Sequence, residues 1–517
     1  MDRRAVCLSI VRSLTLGAAA GLRPERARAD PRRPPRTLAV MQTEGPRSMD
    51  PADHTATLTA TILDPMYEGL VRQTPFAGTA PLLATHWTAS ADGRTWTFAL
   101  RDGVRFHDGS SLNAAAVVAS FQRLINPSAA LAATGKFIPV IASVDAVNDR
   151  QVQFRLKKPY ADFLTLLGAN QASVVSPRAI ESGALSRRAS GTGPFEFVAW
   201  RSDDSVVQRR NRRYWGAPAA VETLTWTWSS EPSVLYMALR TGDADIAAPL
   251  SPVFASRAAT NPSLRLIHQN GTAFFWIALN TRLAPFDDAR VRQALNYATN
   301  RPALVAGLLR GFGQPATAPL ASTTPYVHPD LDHVRFDPVY ARRLLAQSGQ
   351  ARGLRIAIAV QEADEPLAEA LQAMWLDVGV DLEIRRLEGG VYASAAFAPA
   401  SVKDAEGLGG VLSSWSSGIV PDLQLWPLFS SASAAPAGAN LGFFRDRLVD
   451  QLLDAAAGAA DPGDRDRLYA MVQRRIVDAA PAVLLYTRDD LVGVRRGVSG
   501  VSVRPGGELI VSTATKA

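Results

Sequence analysis

Histidine, cysteine and acidic residues are the side chains here that could carry catalysis or hold a metal, and their spacing supports neither role. The six histidines include no His-Glu-x-x-His pair, the spacing that puts two imidazoles on one helical face for zinc. Carboxylate pairs such as Asp287-Asp288 and Asp489-Asp490 are read as charged turns, where solvation outcompetes general acid–base work. We therefore predict no catalytic residue and no metal site.

The sequence contains only incomplete versions of the glycine-rich loops that bind phosphate groups. Gly135-Lys136 lacks the upstream glycine of a phosphate loop, and Gly311-Phe312-Gly313 lacks the third glycine of a dinucleotide loop. The Gly-x-Ser-x-Gly turn of a serine hydrolase does not occur. The sequence thus favours a protein without a cofactor that is not an enzyme.

The N-terminus resembles an export signal. Arg3 and Arg4 precede a mostly apolar stretch, and Ala27-Arg28-Ala29 offers a cleavage site between small residues. We predict a signal peptide over residues 1–29, cleaved near Ala29, and hence a periplasmic protein. The single cysteine, Cys7, would leave with this segment, so the mature chain would contain no thiol.

Size and charge indicate how many domains the protein has and which partners it does not bind. A length of 517 residues, 47% of them hydrophobic, suggests about three domains or two large lobes with substantial cores. Arg12 interrupts the N-terminal apolar stretch, so no membrane-spanning helix is predicted. Residues 1–29 hold six Arg, one Asp and one Glu, so their removal lowers the net charge from +7 to +3. A nucleic-acid partner is therefore not expected.

Periodicity predicts a mixed α/β chain. Residues 151–156 and 95–100 alternate polar and apolar side chains, as half-buried strands do. Residues 288–297 have helical spacing, and a second helix is expected after Asp464 as its N-cap. A strand, a helix and a strand over 354–360, 366–378 and 380–384 have the size of a right-handed crossover unit.

A series of short motifs in a fixed order resembles family 5 extracellular solute-binding proteins, the peptide, nickel and oligopeptide receptors of ABC importers. The likeness extends from about Thr37 to the C-terminus. In chain order the motifs are Met49-Asp50-Pro51, Met66-Tyr67-Glu68-Gly69-Leu70, Leu83-Ala84-Thr85-His86-Trp87, Asp92-Gly93-Arg94-Thr95-Trp96, Asp102-Gly103-Val104-Arg105-Phe106, Gly191-Thr192-Gly193-Pro194-Phe195, Arg213-Tyr214-Trp215-Gly216, Thr241-Gly242-Asp243-Ala244-Asp245-Ile246, Val291-Arg292-Gln293-Ala294-Leu295 and Phe336-Asp337-Pro338.

The resemblance implies a two-lobed α/β periplasmic-binding-protein fold of type II. Lobe I would hold residues 37–270 plus 490–517, with a subdomain inserted near 70–190, and lobe II would hold 271–489. Extended crossings near 268–274 and 485–490 would serve as the hinge. A monomer of this kind closes over a small molecule and delivers it to an ABC permease in the inner membrane.

Candidate ligand-binding residues follow from where family members contact ligand. Three groups are proposed: a loop of lobe I, the residues after the motif that ends at Ile246, and the residues around a tryptophan of lobe II. One lysine of lobe II is added to them. The predicted set is His54, Thr55, Thr57, Ala248, Pro249, Lys403, Ser414, Trp415, Ser416, Ser417 and Gly418. Trp415 beside serines would give a flat apolar face with adaptable hydrogen bonds, although core packing is an equal alternative for it.

Departures from the family pattern bear on the ligand. Peptide receptors carry an aspartate where this chain has Gly418, so a plain α-peptide is less expected, and Asp422 would substitute only in a reshaped loop. Nickel receptors carry an arginine where this chain has Asn170, which weakens metal-chelate uptake. The predicted ligand is a peptide-like or modified amino-acid compound. The alternative ligand is a sugar or opine-like solute, and the alternative functions are a hydrolase or a chaperone-like protein on the same fold.

Overall fold

The computed structural model describes residues 37–74, 78–329, 335–416 and 418–517. The predicted signal peptide and the predicted site residue Ser417 lie outside these residues. The described residues form one compact unit. Among the described residues, no helix combines the length and the apolar character that crossing a membrane requires.

The strands of the described residues are short except for two. In chain order they are β1 Thr37–Gln42, β2 Val71–Gln73, β3 Thr79–Pro81, β4 Ala84–Ala89, β5 Thr95–Leu100, β6 Ile141–Asn148, β7 Gln151–Leu156, β8 Phe195–Arg201, β9 Ser205–Arg210, β10 Thr223–Trp228, β11 Ile246–Ala248, β12 Leu264–Leu279, β13 Gly313–Pro315, β14 Leu354–Gln361, β15 Val380–Leu387, β16 Gly410–Trp415, β17 Ala482–Arg495, β18 Val498–Ser499, β19 Ser502–Val503, β20 Leu509–Ile510 and β21 Thr515–Lys516.

The helices of the described residues lie between these strands along the chain. They are α1 Thr57–Leu63, α2 Ala114–Leu124, α3 Thr134–Phe137, α4 Phe163–Leu167, α5 Pro177–Glu181, α6 Pro232–Thr241, α7 Pro252–Ala259, α8 Ala289–Ala298, α9 Arg301–Leu308, α10 Pro338–Gln347, α11 Glu365–Leu376, α12 Gly389–Ala396, α13 Ala400–Ala405, α14 Asp422–Phe429, α15 Arg447–Gly458 and α16 Pro462–Ala479.

One large sheet organises the molecule, in the order β15-β14-β16-β12-β17-β11-β1-β10-β9-β8. We call β11, β1, β10, β9 and β8 the first sheet half, and β16, β14 and β15 the second sheet half. The long antiparallel strands β12 and β17, the crossing strands, connect the two halves. Their register shifts between Gln269 and Ala273, which is where the sequence predicted a hinge.

The core is layered around this sheet. Along the C-terminal part of β12, Phe274 and Trp276 point to one apolar cluster, and Phe275 and Ile277 point to another. Both faces of the second sheet half are therefore buried, as in sheets covered by helices on each side. Separate apolar clusters cover the first sheet half, so each half has its own core.

A four-stranded antiparallel sheet, β4-β5-β7-β6, stands apart from the large sheet. Its core contains Phe98, Phe154 and Phe163, whose rings meet edge to face at 5.5 to 6.4 Å. This sheet falls within the segment where an inserted subdomain was predicted.

The local elements predicted from periodicity are largely confirmed. Strands β5 and β7, helix α8 and the unit β14-α11-β15, with its strands parallel, stand where the spacing placed them. One helix start was wrong: the N-cap of α16 is Asp461, whose carboxylate accepts from the Asp464 amide. Pro462 at the first helical position moves the start upstream, because its fixed φ suits that position.

Candidate ligand-binding cleft

A cavity of about 330 Å³ lies where the two sheet halves meet the crossing strands. Each of the three regions contributes side chains or backbone to its wall. The residues include Gln42, Thr57, Ala248 and Pro249 from the first half's side, Ser414, Trp415 and Ser416 from the second half's side, and Thr272, Arg488, Asp489 and Asp490 from the crossing strands. Because the wall comes from both halves, a solute held here would contact both at once.

The first sheet half supplies a fixed polar rim. Gln42 ends β1 and is buried, and its amide nitrogen donates to the carbonyls of Glu44 at 2.7 Å and Leu58 at 3.2 Å. These bonds tie β1 to α1, so Thr57 at the start of α1 faces the cavity in a defined position. Ala248 ends β11, Pro249 follows it, and both line the same wall.

The second sheet half presents the predicted tryptophan. Trp415 ends β16 opposite Phe274 of β12, and its indole nitrogen donates to the carbonyl of Leu423 at 2.9 Å. The indole is partly buried against a neighbouring core and lines the cavity with its remaining surface. The Ser416 hydroxyl lies 3.2 Å from that of Thr272, which links the strand end to the crossing.

Two adjacent carboxylates line the cleft from β17, Asp489 and Asp490. The Asp489 side chain is 1% exposed; one of its oxygens lies 2.5 Å from His268 Nε2, and the other has no partner among the described residues. Burial raises the pKa of Asp489, and the His268 contact opposes that shift. Gln269 donates to Asp490 at 3.3 Å.

The electrostatics of Asp490 predict a pH effect. Burial raises its pKa to about 6; the hydrogen bond from Gln269 opposes the shift, the charges of Glu508 and Asp489 add to it, and Arg488 lowers it. The folded pKa lies above the ordinary value of 3.8, so between these values the folded state binds more protons than the unfolded state. Stability therefore falls as pH rises from about 4 to about 6, and the penalty persists above that range.

Substituting Asp490→Asn should remove that slope. We expect the variant to be more stable than the parent by roughly 1–3 kcal/mol above pH 6 and similar to it near pH 4, since about two pKa units separate the states. Urea unfolding at pH 4, 5, 6 and 7 measures this. The exposed aspartate Asp203 provides the control: Asp203→Asn should leave the profile unchanged, and parallel profiles for Asp490→Asn and the parent would contradict the prediction.

The structure separates the predicted site residues. Thr57, Ala248, Pro249, Ser414, Trp415 and Ser416 come together at the cleft, whereas Thr55 and Gly418 line a smaller adjoining cavity. His54 is 3% exposed, and its Nε2 lies 3.1 Å from Asn170 Oδ1. Burial lowers the pKa of His54, and the contact with Asn170 opposes that shift.

Lys403 does not reach the cleft, contrary to the prediction. It lies on α13 at 1% exposure, and its ammonium donates to the carbonyls of Ala396 at 2.5 Å and Leu441 at 3.0 Å over the Phe443 ring. Burial lowers its pKa to about 8. The fold itself satisfies this cation, which explains why it is not presented to a ligand.

The sequence missed the acidic wall. Asp489 and Asp490 are strand residues of β17, so their interpretation as a charged turn was wrong. A weaker signal was available: apolar residues lie on both sides of the pair, at Leu484-Leu485 upstream and at Leu491-Val492 directly after it, which is compatible with a strand that continues through the polar residues.

A divided sheet, two strands that cross between its halves, and a cavity lined from both define a two-lobed solute receptor of the periplasmic-binding-protein class. The comparison with known families is specific. The sequence model of one family, described as "Bacterial extracellular solute-binding proteins, family 5 Middle", matches residues 78–436. The chain therefore belongs to the family 5 bacterial extracellular solute-binding proteins. It is thus a solute-binding protein of the ABC-importer type.

Relatives of known description agree with this assignment. The glutathione-binding protein GsiB of Pectobacterium atrosepticum is 31% identical over 469 residues, which cover 89% of this chain and 90% of that protein. The periplasmic binding protein DppA of Helicobacter pylori, solved with the peptide STSA, is 26% identical with a TM-score of 0.79, covering 92% and 97%. A dipeptide-binding protein of Pseudoalteromonas sp. SM9913, solved with Met-Leu, is 25% identical with a TM-score of 0.81, covering 93% and 100%.

Proposed function

We propose that this protein captures a small peptide-like or modified amino-acid solute in the cleft and delivers it unchanged to an ABC permease. The observation that carries the proposal is the wall of the 330 Å³ cavity, which both sheet halves and both crossing strands supply. A solute that contacts both halves favours the closed arrangement by its differential contacts, and a permease can then distinguish loaded from empty receptor.

Polar and apolar surfaces in the cleft support a peptide-like solute. Trp415 offers an apolar face, Ser414 and Ser416 offer hydroxyls, and Arg488 and Asp490 add charges of both signs. Peptides and modified amino acids combine these same groups in one small molecule. The glutathione-binding relative and the structures solved with STSA and with Met-Leu add support for this class.

The lobe boundaries form part of the proposal. We assign residues 37–270 with 490–517 to lobe I and 271–489 to lobe II, with the inserted subdomain near 70–190. The change of strand partners along β12 and β17 supports a division near residues 270 and 489, because β17 pairs with β11 on one side of this point and β12 pairs with β16 on the other. We also propose a monomer exported to the periplasm, with residues 1–29 removed.

Native mass spectrometry of the exported protein, purified without denaturation, tests the function. We expect a single bound solute of low mass, released on denaturation and identical in composition before and after incubation with the protein. Turnover of the released solute would overturn the proposal in favour of an enzyme. A sugar or opine-like mass would overturn its peptide-like part, and the N-terminal residue of the exported chain would test the cleavage near Ala29.

A further inference from the structure

A second and larger cavity, of about 590 Å³, adjoins the cleft. Trp415 and Ser416 line both spaces, so the indole stands at the boundary between them. The wall of the larger cavity comes from the inserted-subdomain side, through Val140 and Tyr160, and from α14. We call this space the side cavity.

Aromatic side chains contribute to the lining of the side cavity. Trp426 of α14 is 36% exposed, although it is a large apolar side chain, whereas Tyr160 from the inserted-subdomain side is buried. Trp415, Val140 and Pro139 extend this surface. Large apolar side chains left open on a concave wall favour an apolar ligand group, because covering them removes area from water at about 25 cal/mol per Å².

One carboxylate oxygen in the lining of the side cavity has no hydrogen-bond partner among the described residues. Asp422 begins α14 and lines the side cavity; its Oδ1 is buried and accepts no hydrogen bond from the described residues. Burial raises the pKa of Asp422 to about 7, and the charge of Asp162 adds to that shift. A buried carboxylate without a donor is costly, so its presence here calls for a partner that arrives from outside.

Neighbouring cations do not supply that partner. Lys158 lies 2.6 Å from Asp454 and Arg465 lies 2.5 Å from Asp162, so each is bonded to another carboxylate. Both still lower the pKa of Asp422 through space, and Asp454 raises it. Lys136 lies at the border with the smaller adjoining cavity.

We propose that the side cavity is a ligand subsite for an apolar group that carries an ammonium, with Asp422 as its counter-ion. The apolar group would pack between Trp426 and Trp415, and the ammonium would donate to the unpartnered carboxylate. This inference rests on the proposed function only in that the captured solute would extend from the cleft past Trp415. The carboxylate chemistry of the side cavity can be measured without knowing that solute.

The experiment uses two probes of equal shape, 2-phenylethylamine and 2-phenylethanol, titrated into the full mature chain by calorimetry at pH 7.5. We expect the amine to bind at least about tenfold more tightly, since hydrogen bonds to charged groups contribute more than neutral ones. Asp422→Asn should abolish that preference and leave the alcohol unchanged. The control is Asp203→Asn, which removes an exposed carboxylate that lines neither the cleft nor the side cavity, and it should retain the preference.

Each result decides between alternatives. Equal affinity for amine and alcohol in the parent, or an amine preference that survives in Asp422→Asn, would overturn the subsite. Thermal melts of both variants exclude misfolding, and Asp422→Asn should melt no lower than the parent because it removes a buried uncompensated charge. If no solute is recovered from the native protein while the amine preference holds, the proposed function fails and the subsite stands.

Discussion

Replacing Trp415 with alanine should weaken solute binding by about 1–3 kcal/mol, the order expected for removing one partly buried indole from a ligand wall. This corresponds to roughly a 5- to 150-fold rise in Kd. The expectation follows from the position of the indole, which lines the cleft and the side cavity together. Calorimetric titration of the solute recovered from the native protein measures the loss.

The anchoring of Trp415 makes a graded series informative. Its nitrogen donates to the carbonyl of Leu423, so Trp415→Phe would keep an aromatic face and lose that bond, with an effect between parent and alanine. Trp87→Ala is the matched control, because Trp87 packs against the core of the four-stranded sheet. An unchanged Kd for Trp415→Ala, with a lowered melting temperature, would assign the indole to core packing.

Local elements could be predicted from the sequence because their signals are local. The strand β7, the helix α8 and the unit β14-α11-β15 each show their periodicity within a short segment, the longest of which covers residues 354–387. The pairing of β12 with β17 could not be read in this way, since the partners Gln269 and Asp490 are far apart in sequence. The resemblance to a family supplied that long-range arrangement where periodicity could not.

The predicted site residues also differ in how well the sequence could place them. Trp415, Ser414 and Ser416 were predicted because Trp415 resembles a tryptophan with which members of the family contact ligand, and in the structure all three line the cavity. Lys403 was misjudged because a position in the sequence does not show which way a helical side chain points. Its ammonium turns inward to two carbonyls, a pairing that depends on Leu441 in a distant segment.

Asp422 places a carboxylate close to the position where Gly418 lacks one. The sequence suggested that Gly418 removes a carboxylate that peptide receptors carry, and in the structure Gly418 has a φ of +66° and a Cβ added there would meet no heavy atom within 4 Å. Four residues later Asp422 lines the larger neighbouring cavity. The absence of a carboxylate at Gly418 therefore does not by itself argue against a cationic ligand group.

Adding a single methyl group at Gly271, in the crossing strand β12, should destabilise the protein. This residue lies in the irregular stretch of β12 between Gln269 and Ala273, and a Cβ there would stand 2.4 Å from the Arg488 carbonyl oxygen. Backbone must move to relieve such a contact, so Gly271→Ala should lower the free energy of unfolding by about 1–3 kcal/mol. Urea unfolding with a thermal melt measures this loss.

Gly271→Ala should also weaken solute binding, because the displaced β17 backbone carries Arg488 and Asp490 on the cleft wall and closure depends on the relative placement of both halves. The control is Gly307→Ala, an exposed position within α9 where a Cβ meets no heavy atom within 4 Å. It should be neutral or stabilising by up to about 1 kcal/mol, since alanine is the better helix former. Equal stabilities and equal Kd values for the two variants would show that the crossing shifts freely, and the hinge would then have to lie outside residues 269–273.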